Sequence, residues 1–109
     1  MALTRDFKAT VKIRADRDPE FRRGLLEDGV ELVILGEFDA GKTLIRDYIN
    51  ATIGFNDLAE RLGKDAKSLM RMFSAQGNPT AENFVAVLVV LQEYEGVQFG
   101  VTSTERAAA

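Results

Sequence analysis

Helix start and stop signals recur at short intervals along this sequence, and that spacing confines the fold to a packing of short helices. Thr4 is suited to cap a first helix reaching about Arg17, with Phe7, Val11 and Ala15 on one stripe. Asp18 followed by Pro19 marks a second start: a carboxylate for the first-turn N–H groups, then a residue whose missing N–H costs nothing there. Glu20, Phe21, Leu25, Leu26, Val30 and Val33 carry this helix to Gly36, which suits a helix C-terminus. Asp39 is expected to cap a third helix with Leu44, Ile45, Tyr48 and Ile49 on its buried stripe, ending near Gly54. The run 30–35 is rich in β-branched residues, and periodicity alone does not separate helix from buried strand there; the length and caps of 19–35 favour the helix.

Residues 55–62 and then 65 or 66 to 74 read as two further short helices, followed by a loop, AQGNP. Thr80 caps a sixth helix through Glu95, with Phe84, Val87, Leu88 and Leu91 spaced for burial. After Gly96 the period changes. Val97, Phe99 and Val101 alternate with Gln98 and Gly100, which predicts one short strand over 97–101. No other segment offers it a partner, so it is expected to pair with its copy in a second subunit, the alternative being that it lies unpaired, and the tail 103–109 to fray.

A chain of 109 residues is one domain, able to bury roughly two thirds of its unfolded surface around a single core. Residues 4–53 supply its N-terminal helices, 55–74 a helix pair, and 80–95 the last helix. There is no cysteine and no histidine. Disulfide scaffolds, thiolate zinc sites, Cys nucleophiles and His-based triads are thereby excluded, and no catalytic residue, metal or cofactor is expected. The longest apolar run, 84–91, is far short of the ~18 residues a membrane span needs. Arg5, Asp6 and Lys8 interrupt any signal-peptide pattern, so the expected location is the cytoplasm.

Net charge is −3, yet Arg61, Lys64, Lys67 and Arg71 stand against only Asp65 between positions 61 and 78, a local +3 that leaves −6 for the rest. A patch of one sign within a chain of the other says more than the total. The patch falls on the most specific pattern in the sequence, FNDLAERLGKDAKSLMRMFS at 55–74. A DNA-reading helix pair needs a small residue where its second helix crosses the first, and Ala59 is there; it needs a turn residue at ease with positive φ, and Gly63 follows four positions later. Leu58, Leu62, Leu69 and Met72 complete an inner face. Lys67, Ser68, Met70, Arg71 and Ser74 are left pointing outward, while Asp65 is placed to cap the second helix. On this reading Lys67 and Arg71 enter the major groove, where such side chains bond guanine, and Lys64, Ser68 and Asn78 bond phosphates. The plain alternative is a pair of amphipathic bundle helices with a solvated basic face.

A rival motif lies upstream. GEFDAGKT at 36–43 is a literal match to the phosphate-binding loop G-x-x-x-x-G-K-[ST], with Lys42 for the outer phosphates and Thr43 for Mg²⁺. So short a string arises often by chance, and one other convincing strand in this chain cannot supply the parallel sheet that such a loop requires. Each of its residues also has a local role at the junction of two helices. A P-loop nucleotide-binding protein is therefore the minor alternative.

RDYINATIGFNDLA at 46–59, GKDAKSLMRMFS at 63–74 and GNPTAENF at 77–84 resemble the addiction-module antidote proteins. These are small helix-turn-helix antitoxins related to the HigA type and to lambda-repressor-like DNA-binding domains. The resemblance runs from about Thr4 to Val101. It implies an all-α lambda-repressor-like domain with extra N-terminal helices, and a DNA-binding antitoxin of a type II toxin–antitoxin module. Such a protein neutralises a RelE/ParE-superfamily toxin and represses its own operon, without enzymatic activity, as a homodimer on operator DNA. Carried over by position, the groove-facing residues are Ala66, Lys67 and Arg71, and the phosphate contacts Ser68 and Asn78. The opening of the second helix by Asp65 and Ala66 departs from the pattern and leaves base contacts to Lys67 and Arg71. A stand-alone phage-type repressor without a toxin is the other alternative. From 27 to 47, Glu27, Asp28, Glu31, Glu37, Asp39 and Asp47 face only Lys42 and Arg46, a local −4 suited to masking a basic toxin.

Overall fold

The protein is described from a computed structural model covering residues 2–107, with the backbone alone for 2–6. Six helices, and no strand, form among the described residues: α1 (Ala2–Arg17), α2 (Pro19–Ile34), α3 (Phe38–Ala51), α4 (Phe55–Leu62), α5 (Ala66–Met72) and α6 (Ala81–Glu95). The fold is all-α. No described helix is long and apolar enough to cross a membrane.

Most ends follow local chemistry. The Asp18 carboxylate accepts the Phe21 N–H at 3.1 Å, and Thr80 Oγ1 accepts that of Asn83 at 3.1 Å. Each satisfies a first-turn donor that the helix cannot. The run 30–35 is helical to Ile34, as its caps predict. Two expected caps are not formed. Thr4 lies inside α1, and its side chain is outside the described residues. Asp39 is likewise inside α3: the Glu37 carbonyl accepts the Gly41 N–H at 3.0 Å, so the helix starts at Phe38 and Asp39 faces the helix dipole from its first turn.

Helix α3 is the central post, packed along most of its length against α2 and also touching α1, while α4 contacts both α5 and α6. Ile45, Tyr48 and Ile49 of α3 are fully buried with Leu26, Leu58, Leu69, Val87 and Leu91. The α2–α3 approach is set by Gly29 and Gly41. A Cβ on Gly41 would stand 2.6 Å from the Gly29 carbonyl oxygen and 2.6 Å from Val33 Cγ2. A row of rings, Phe38–Phe84–Phe73–Phe55, with centroids 5.4, 6.0 and 5.9 Å apart, joins α3, α6, the end of α5 and α4. These spacings are typical of favourable tilted pairs. The N-terminal stripe is looser than expected: Ala15 is buried, Val11 half-buried, and Phe7 59% exposed.

The predicted strand does not form. Phe99 packs against the core, and its N–H is donated to the Gln92 side chain at 2.8 Å, so the segment folds back along its own helix. Val97 and Phe99 are half-buried and Gln98 and Gly100 exposed, in the expected alternation, but Val101 is 95% exposed. Residues 103–107 are exposed and irregular, and 108–109 lie outside the described residues.

Candidate nucleic-acid interface

Helix α4 ends at Gly63, whose φ of 64° and ψ of 34° place it in the left-handed region that costs other residues about 1–2 kcal/mol. The Lys64 N–H reaches back to the Ala59 carbonyl at 2.9 Å, which closes the helix end and reverses the chain. Asp65 then opens α5: one carboxylate oxygen accepts the Ser68 N–H at 3.1 Å and the Ser68 hydroxyl at 3.3 Å. Behind this joint, Leu58, Ala59 and Leu69 are buried, and Leu62, Ala66 and Met72 pack against them half-buried. The inner residues expected from sequence thus meet in one core.

Outward, α5 presents Lys67, Ser68, Met70 and Arg71, all exposed. Lys67 and Arg71 lie one turn apart, and among the described residues neither is engaged in an ion pair or side-chain hydrogen bond. Ala66 is turned toward the core. Lys64 is exposed and donates to Asn83 Oδ1 at 3.3 Å, and Asn78 is exposed in the loop after α5. Arg61, counted in the same basic window, leads elsewhere: its guanidinium carbon lies 5.8 Å from the centre of the Tyr94 ring. Helix α5 ends at Met72, two residues earlier than expected. Buried Phe73 draws the chain inward, and the Ser74 N–H closes on the Arg71 carbonyl at 3.1 Å.

The phosphate-loop string takes a different form. It is helical from Phe38 onward, and Gly41 is the crossing residue described above. Lys42, 2% exposed, donates from Nζ to the Gly77 carbonyl at 2.8 Å, with Asp39 at 3.9 Å and the Phe38 ring at 5.5 Å. Thr43 Oγ1 donates to the Asp39 carbonyl at 3.0 Å. The lysine and threonine that would serve a nucleotide are bonded within the protein.

A second polar cluster was not expected. Glu95, with its side chain 1% exposed, accepts Arg22 Nε at 3.0 Å on both oxygens and the Tyr48 hydroxyl at 2.6 Å, with Arg23 Nε at 3.5 Å. Arg22 also donates to the Ala15 carbonyl at 2.9 Å, so the cluster ties α1, α2, α3 and α6. Burial, and then the adjoining Glu95 carboxylate, push the Tyr48 phenol well above its ordinary value. Of the expected acidic surface, Glu27, Asp28 and Glu31 are exposed along the second half of α2, and Glu37 and Asp39 at the α2–α3 corner, where Ile34 and Leu35 are 74% and 65% exposed. Asp47 is set apart, half-buried beside α1; burial raises its pKa against the pull of Arg46 and Lys8.

Comparison of the chain with protein-family models, curated proteins and solved structures finds no match in any of the three.

Proposed function

We propose that this chain is a DNA-binding repressor of the helix-turn-helix kind, with α4 and α5 as the helix pair of a lambda-repressor-like domain, and that it is the antidote of a toxin–antitoxin module. The observation that carries the DNA reading is the outer face of α5. Two uncommitted cations stand one turn apart on a helix anchored from behind by Leu69 and set at its angle by Gly63. Lys67 and Arg71 take the base edges of the major groove, and Lys64 and Asn78 the flanking phosphates; Ser68, whose N–H and hydroxyl both go to Asp65, reaches a phosphate only by turning its hydroxyl from that carboxylate. Asp65 directs its carboxylate at its own helix N-terminus, where it accepts the Ser68 N–H.

The antidote role is supported by the sequence resemblance and by the exposed carboxylates of the second half of α2 and of the α2–α3 corner, where Ile34 and Leu35 are also exposed. Such a surface suits a basic protein toxin. The decisive experiment for DNA binding is a gel-shift titration with the duplex upstream of the gene. Arg71→Ala is expected to lose about 1–3 kcal/mol on that duplex and much less on a scrambled one. Equal binding by the variant and the parent removes α5 from the interface. Co-purification with the basic product of an adjoining reading frame tests the antidote role; a gene with no such neighbour leaves the stand-alone repressor.

A further inference from the structure

Lys42 and Glu95 are the two buried charged residues among the described residues. Glu95 is accounted for by the two arginines and Tyr48. Lys42 is not needed to seat α3, whose Ile45, Tyr48 and Ile49 already have no exposed surface. A cation is costly to bury unless something specific holds it. Asp39 does little of this, since its side chain is 91% exposed and 3.9 Å away. What holds Lys42 is the Gly77 carbonyl at 2.8 Å, across 35 positions of sequence.

Gly77 occupies a narrow place. A Cβ there would collide with the Arg71 carbonyl oxygen and stand 2.6 Å from that of Met72. The residue is therefore seated on the last carbonyls of α5 on one side and bonded to Lys42 on the other. Its own N–H donates to the Ser74 carbonyl at 3.0 Å, and Asn78 follows directly. We propose that Lys42 is a positioning residue for the nucleic-acid face: by holding Gly77 it fixes the loop that follows α5 and where Asn78 stands. This rests on the DNA-binding reading of α5. Lys42 touches no phosphate itself; it acts through the 75–79 loop.

Two measurements on the full chain test the proposal. Amide hydrogen exchange in Lys42→Met, which keeps an apolar stem of similar volume, should speed up across 73–78 while the amides of α2 and α3 remain protected. In gel-shift titration the same variant should bind the upstream duplex about tenfold more weakly, with an unchanged salt dependence because no phosphate-bound cation is lost. On an Asn78→Ala background most of that loss should vanish, since both changes remove one contact. Lys42→Gln, which retains a shorter N–H donor, should give the same pattern and serves if Lys42→Met does not fold. Unchanged loop exchange overturns the proposal, and so do fully additive losses in the cycle. If the parent chain binds no DNA, the functional reading fails by itself, and the exchange result alone decides whether Lys42 sets the loop.

Discussion

Tyr48 donates to a carboxylate that also holds Arg22, so its hydroxyl contributes to the junction of α2, α3 and α6. Tyr48→Phe removes a hydrogen bond to a charged acceptor and should cost about 1.5–3 kcal/mol in urea unfolding at neutral pH. The pH dependence follows from the raised phenol. In the folded state Tyr48 keeps its proton above the ordinary value of 10.0, at which the unfolded chain releases it. Its contribution is therefore fully present below that value and declines as pH rises beyond it, by at most about 1.4 kcal/mol per pH unit. Tyr48→Phe should lack this alkaline decline, so the stabilities of variant and parent should converge as pH is raised. Parallel curves would show that the phenol ionises in the folded state as easily as in the unfolded chain.

Among the helices, the α2–α3 crossing admits a sharp comparison between two glycines. Gly41→Ala places a methyl against the Gly29 carbonyl and Val33, and should destabilise by about 1–3 kcal/mol. A Cβ on Gly24, in the same helix pair, meets nothing within 4 Å, so Gly24→Ala should stabilise by about 0.5–1 kcal/mol. Thermal melts of the two variants should move in opposite directions; a shared direction would mean that helix propensity, not the crossing, governs both sites. The contrast also marks the limit of reading this chain from sequence. Caps at Asp18, Asp65 and Thr80, the Gly63 joint and the inner residues of α4 and α5 were legible because each acts within one turn of itself. Gly41, Lys42 and Glu95 were not, because their partners lie in other elements. A signal did exist: Lys42 follows Phe38 by one turn and precedes Ile45 and Ile49, and Glu95 follows Leu91 by one turn, so both occupy buried stripes where a charge needs a partner. The missing strand has a different cause. Its alternation is real, but it reflects contact with α6 through Phe99 rather than a ladder.

Across the whole molecule, the cations of α5 and Lys64 and the carboxylates of 27–39 stand on different elements. Lys64→Ala should therefore weaken binding to all duplexes alike and lower the salt slope by about one counterion, whereas Arg71→Ala should relax sequence preference. A titration at several salt concentrations separates the two; equal slopes would place Lys64 away from phosphate. As a proposed dimer, the protein would read half-sites ~34 Å apart, one turn of the duplex. The crossing at Gly29 and Gly41 has a mechanical consequence. Main chain rests on main chain there, flanked closely by Val33 and Ile45, so α2 and α3 pack as a single slab. Lys42 ties the strap between α5 and α6 to that slab, so the acidic residues of α2 and the loop that carries Asn78 share one support.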